Sequence, residues 1–186
     1  ALILATFLTE AVTNTLVFTN VNGVIFLCQV AFLYLLHRRR LWWSGVAMGV
    51  SLAIKPMLAP LLFLPLVRRQ WQPFVASAAI PAAAMAAGWA LTVDARAYVD
   101  KTLPYMGEVR NYYNSSLAGL GVYYGVPEPL VLVARILVVV ATLVAVWLLL
   151  DYRHNHEVLW LATTSGVILT GVFLVSSLGQ MYYSMT

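Results

Sequence analysis

The chain has 186 residues, 62% of them hydrophobic and 10% charged, and a formal net charge of +4. A soluble domain averages roughly 45–50% apolar and about 25% charged residues. A chain this poor in charge cannot clothe a soluble surface, so lipid is its natural solvent, and nucleic acid is not an expected partner. The one cysteine, Cys28, lies in an apolar run, which leaves no disulfide within the chain and no Cys/His metal site. His37, His154 and His156 sit in short polar loops with arginine and read as solvated residues. Neither a metal nor a cofactor is expected.

A membrane-spanning helix needs about 20 apolar residues. The run Ala1–Leu8 reads as the end of one span, so the chain is expected to be an internal piece of a longer protein. A polar stretch, EAVTNTLVFTNVNG, occupies residues 10–23. The next span, Val24–Leu36, ends at His37-Arg38-Arg39-Arg40, a cluster that the positive-inside rule places in the cytoplasm.

Leu41–Val67 is too long for one simple span: as a single helix it would reach roughly 40 Å and put Arg38–Arg40 and Arg68-Arg69 on opposite sides. A break at Lys55-Pro56 resolves the conflict, because proline disfavours helix at the residue before it and lacks an N–H. The segment then reads as a broken hairpin of two short helices, with both basic clusters on one side. Phe74–Val93 is a clear span whose Ala and Gly favour close helix packing. A long polar outer loop, residues 94–128, follows. Pro129–Leu150 returns, residues 151–157 form a short inner loop with Arg153, and Val158–Leu178 crosses again to leave Gly179–Thr186 at the outer surface. The fold class is all-α, a polytopic transmembrane helical bundle in one domain over residues 1–186.

In the outer loop, Ala95, Tyr98, Val99, Thr102, Leu103 and Met106 follow the spacing of one apolar helix face, which predicts an interfacial helix that Pro104 ends early. Eight of the ten tyrosines map to the outer side. They suit either an aromatic belt at headgroup level or a sugar platform. Nearby amides favour the platform, since an amide both donates and accepts hydrogen bonds. The candidate sugar- and acceptor-binding residues are Asn14, Asn20, Asn22, Asn111, Tyr112, Tyr113, Asn114, Ser115, Tyr182 and Tyr183. Asn114-Ser115-Ser116 also fits the short glycosylation pattern.

Two cations fall at membrane depth, where ionisable residues are costly and are functional candidates by default. Lys55 stands at the hairpin break, with no acid within two turns along the chain, and reads as an unpaired cation awaiting an anion. Arg135 lies about two turns into a span, from where a long side chain also reaches the interface. Glu10 is the one acid in the first third of the chain, placed to cap, to pair with Lys55 or to line a site.

The segments 10–23, GVAMGVSLAIKPMLAPLLFLPLV (45–67) with RRQW (68–71), TLPYMGEVRNYYNSSLAGLGVYYGVP (102–127) and SSLGQMYYSMT (176–186) resemble the bacterial glycosyltransferase family 87, membrane enzymes of the GT-C fold, and within it the mycobacterial arabinofuranosyltransferases. That resemblance implies a transferase of the plasma membrane, acting on the periplasmic, cell-wall side. The implied donor is decaprenyl-phosphate-arabinose, and the implied acceptor an arabinan chain that gains an α-(1→3) branch. The implied catalytic base is a carboxylate ahead of Ala1, with Glu10 a weak candidate inside the chain. Lys55, Arg110 and Arg135 become candidates for the donor phosphate. Where relatives carry Gly-Gln-x-x-Asn, this chain has Thr19-Asn20-Val21-Asn22, so no glutamine role carries over.

Three other readings stay open at this stage. One is a mannosyltransferase using polyprenyl-phosphate-mannose. Another is a lipid or sugar transporter, which the broken hairpin suits, although no second symmetry-related broken segment is found. The third is a non-catalytic subunit of a membrane complex.

Overall fold

A computed structural model describes residues 21–177 and Gly179. Residues 1–20, 178 and 180–186, with the expectations that fall on them, lie outside the described residues. Among the described residues every regular element is helical.

Helix α1, Asn22–His37, runs down to the first arginine cluster. Arg38 closes it, and Arg39 takes a left-handed conformation, φ 57°. Helix α2, Leu41–Ile54, climbs back and stops at Lys55, whose φ of −133° and ψ of 89° are extended, as the following Pro56 demands. A 3₁₀ segment, Pro56–Leu62, and helix α3, Phe63–Val67, then descend to Arg68-Arg69. Arg69 is again left-handed, φ 55°. The rise of α2 is roughly 21 Å, and the seven 3₁₀ plus five α residues of the return arm give about the same. The broken hairpin is therefore present, and its two basic ends come level. Glu157 proves the point: it lies 3.5 Å from His37, 3.8 Å from Arg39 and 2.7 Å from Arg68. His37, expected to be solvated, keeps 39% of its side chain exposed while it stands beside this carboxylate.

The return arm occupies the centre of the bundle. Leu58, Leu61 and Leu64 are buried and meet Ile25, Phe32 and Leu36 of α1, Met48 and Leu52 of α2, and Trp160, Leu161 and Ile168 of the last helix. Helix α4, Trp71–Leu91, packs along α2. The small residues that permit this contact are Gly45 and Gly49 on α2. A Cβ at Gly45 would come within 2.6 Å of the Ala76 Cβ and the Pro73 carbonyl, and one at Gly49 within 2.9 Å of Ile80. Of the Ala and Gly expected to pack on α4 itself, Ala76 does so, joined by Ser77, whereas 82–90 are exposed. Helix α4 has 21 residues and α2 has 14, so α4 outruns its neighbour.

The outer loop holds more helix than expected. A π-helical turn, Tyr98–Thr102, feeds directly into α5, Leu103–Gly107. Pro104 does not end this run. It sits in the first turn of α5, where its missing N–H costs nothing. Helix α6, Leu117–Tyr124, starts at Ser116, whose hydroxyl accepts from the Gly119 N–H at 3.2 Å, and stops at the left-handed Gly125, φ 67°. Helix α7, Glu128–Leu149, continues through a 3₁₀ turn, Leu150–Arg153. Helix α8, Glu157–Val175, ends the described bundle. Three runs, Trp71–Leu91, Glu128–Arg153 and Glu157–Val175, are long and apolar enough to cross a membrane. Helix α7 turns its apolar side chains outward along nearly its whole length.

Candidate functional site

The break at Lys55 brings two chain segments together. Antiparallel packing of α1 and α2 sets the first turn of α1 beside the last turn of α2, so the buried Asn22 meets Lys55, and the Lys55 Nζ donates to the Asn22 Oδ1. This corrects the expectation of an unpaired cation: a helix-break lysine at this depth is held by an amide from the neighbouring helix. Between the upper halves of α2 and α4 lies a cavity of about 380 Å³, whose walls include Ala53 and Pro56, chain neighbours of Lys55. Leu52, Ala53, Pro56, Met85, Trp89 and Tyr98 are among its walls, so it is largely apolar and reaches the base of the outer loop. A largely apolar groove of this kind suits the hydrocarbon part of an amphiphile.

The outer loop presents the other candidates. The Arg110 guanidinium stacks 4.5 Å above the Tyr105 ring. Asn111, Tyr112 and Tyr113 are exposed, with the two rings in edge contact at 6.3 Å, and Tyr113 is left-handed, φ 49°.

Asn114 behaves differently. It is buried, its Nδ2 donates to the Arg110 carbonyl at 3.0 Å and the Ser177 carbonyl at 2.9 Å, and its Oδ1 accepts from the Ser116 N–H, the Ser116 hydroxyl and the Gly179 N–H. The Ser115 N–H donates to the Gly179 carbonyl at 2.7 Å. Asn114 thus ties the outer loop to the end of α8, with its amide spent on the fold. Gly179, expected at the outer surface, is buried in this knot.

Arg135 also has a structural partner: its Nε and Nη2 donate to the Val175 carbonyl at 3.0 and 2.7 Å. The last carbonyls of a helix lack intrahelical donors, and a cation there also answers the helix dipole. Lys55, Arg110 and Arg135 therefore have separate partners, and no ion pair or hydrogen bond among the described residues joins them. Glu10, Asn14, Asn20, Tyr182 and Tyr183 lie outside the described residues. No group of three or more His, Cys, Asp or Glu gathers among the described residues.

A family model, glycosyltransferase family 87, matches residues 1–177. The chain belongs to that family. Among curated relatives, the α-(1→3)-arabinofuranosyltransferase of Mycobacterium tuberculosis is 49% identical over all of this chain and 44% of its own length. The protein of the same name in Mycolicibacterium smegmatis is 45% identical over 99% of this chain and 44% of its own. That of Corynebacterium glutamicum is 44% identical over 96% of this chain and 43% of its own. This family 87 chain therefore spans less than half the length of the curated relatives it matches. No solved structure matches it.

Sequence reading missed the Asn114 knot, the Glu157 hub and the part played by Gly45 and Gly49. Only the last carried a local signal, the Gly-x-x-x-Gly spacing that lets helices approach closely.

Proposed function

We propose that this chain is a membrane-embedded part of an α-(1→3)-arabinofuranosyltransferase, which moves an arabinofuranosyl residue from decaprenyl-phosphate-arabinose to an arabinan acceptor at the cell-wall face of the plasma membrane. The observation that carries the reading is the 44–49% identity, over 96–100% of the chain, to relatives bearing that name. The geometry is compatible with it. Lys55, steadied by Asn22, receives the donor phosphate, and the groove between α2 and α4 takes the start of the prenyl chain. Arg110 supplies a second cation from the outer loop, while Asn111, Tyr112 and Tyr113 offer amide and ring surfaces to sugar.

The chemistry is displacement at the anomeric carbon. The acceptor hydroxyl attacks, a carboxylate takes its proton, and the C–O bond to the lipid phosphate breaks with the electron pair staying on that phosphate. Lys55 offsets the negative charge that grows there. In this reading the carboxylate is supplied from ahead of Ala1, with Glu10 the candidate within the chain. The lipid phosphate is itself the leaving group, so the step requires no metal or cofactor.

The test uses the full-length protein in vesicles with a synthetic polyprenyl-phosphate-arabinose and an arabinan oligosaccharide. New α-(1→3) linkages, found by linkage analysis, are the expected product. Transfer from polyprenyl-phosphate-mannose with none from the arabinose donor would move the assignment to a mannosyltransferase.

A further inference from the structure

The end of the bundle opposite the outer loop carries a charge pattern that sugar transfer does not use. Two turns there are near copies. Each helix, α1 and α3, is closed by an arginine, Arg38 or Arg68, and the next arginine, Arg39 or Arg69, is left-handed. The turns stand side by side, because Arg39 and Arg68 reach the same carboxylate of Glu157. The two turns carry five arginines, at 38, 39, 40, 68 and 69, of which Arg39 and Arg68 reach the one glutamate, leaving a net charge of +4, and Asp151 and Arg153 on the neighbouring turn cancel. Arg38, Arg39, Arg40 and Arg69 are exposed. The Arg68 side chain is nine-tenths buried, and its Nη1 has no acceptor. Trp42 and Trp43 in the first turn of α2, and Trp71 in the first turn of α4, stand largely exposed next to the same turns.

Membrane topology explains basic residues in these loops, but not arginine at both left-handed positions. Glycine or asparagine fits there with less strain, and any other loop position would serve the positive-inside rule equally. The tryptophans set these turns at headgroup level, where indole rings collect. We propose that the Arg38–Arg40 and Arg68-Arg69 turns together bind the phosphate headgroup of an anionic phospholipid in the adjoining leaflet. Guanidinium groups meet phosphate oxygens in paired hydrogen bonds. The tryptophans give apolar contact to the glycerol region, which a free phosphate ion would not use, so the ligand is a lipid.

Full-length protein in detergent is titrated with dioleoyl phosphatidylglycerol or dioleoyl phosphatidylcholine, and bound lipid is counted by native mass spectrometry. Phosphatidylglycerol is expected to be retained in clear preference. In the Arg39→Gly/Arg69→Gly double variant that preference falls by about 30-fold, the loss expected for two interfacial cations. Because glycine suits both left-handed turns, the same variant keeps a thermal midpoint at or above that of the unsubstituted protein. Should it fail to fold, Arg38→Gln/Arg40→Gln, which leaves the left-handed residues in place, decides by the same loss of preference. Equal retention of the two lipids by the unsubstituted protein would overturn the proposal. So would a preference that survives in the folded variant, or one that millimolar inorganic phosphate removes.

Discussion

Lys55 and Asn114 show how two polar residues in an apolar chain come to opposite uses. Pro56 forces Lys55 out of the helix, and antiparallel packing puts Asn22 within reach of its ammonium. Replacing Lys55 by Met keeps the aliphatic length and removes the charge. In the full-length enzyme, kcat/KM for the lipid-linked donor should fall about 10²-fold, as for loss of a group that stabilises developing charge, while the protein stays folded in detergent. Donor kinetics within a few-fold of normal would end the phosphate role. For Asn114→Ala the expectation is the reverse. Five hydrogen bonds go, and the buried N–H groups of Ser116 and Gly179 lose the acceptor their burial requires. The expected cost is at least about 2 kcal/mol, seen as a lower thermal midpoint. A variant of unchanged stability that no longer binds acceptor would return Asn114 to the sugar site. The chain order separates these cases. Lys55 is legible because its determinant, Pro56, is adjacent. Asn114 is not, because Ser177 and Gly179 are 63 and 65 residues away and its neighbours 111–113 resemble any amide-and-tyrosine surface.

At the level of elements, hydropathy places the spans but says little about which faces touch. Val24–Leu36, Phe74–Val93, Pro129–Leu150 and Val158–Leu178 each have a helix within a few residues of their expected limits, since burial in lipid requires a long apolar run in any packing arrangement. The outer loop is harder to read. The cap of α6 depends on Ser116 after an extended turn, and Pro104 is tolerated because a π turn delivers it to the start of α5. The α2–α4 seam offers a direct test. Gly45→Val would drive a side chain into Ala76 and the Pro73 backbone, so it should destabilise by at least about 1–3 kcal/mol, the usual range for overpacking. Gly88→Ala lies on the same helical pair, with open space around the added carbon. It should be neutral or slightly stabilising, because alanine is the better helix former. Thermal midpoints of both variants in the full-length protein check the pair. Equal tolerance of the two would mean that α2 and α4 are not in close contact.

For the whole molecule the question is which faces lie on which side. Two independent ties fix the ends relative to one another. Glu157 gathers His37, Arg39 and Arg68 at one end, and Asn114 and Arg135 fasten the outer loop and α7 to the last turns of α8 at the other. The bundle is therefore polarised whatever its orientation. By the positive-inside rule the arginine excess predicts the Glu157 end in the cytoplasm and the loop 94–128 on the opposite side. Single cysteines introduced into a cysteine-free background of the full-length protein, with Cys28→Ala among its changes, test this in intact cells. Asp100→Cys and Asn111→Cys, both exposed in the outer loop, should react with a membrane-impermeant thiol reagent. Arg69→Cys should react only after the cells are permeabilised. Arg69 is the discriminating position, because a single unbroken helix over Leu41–Val67 would carry it to the side opposite Arg39. Labelling of Arg69→Cys from outside, with Arg38→Cys protected, would overturn the hairpin. Labelling of both from outside, with Asp100→Cys protected, would preserve the fold and reverse its orientation, which would take the proposed donor site away from the proposed cell-wall face.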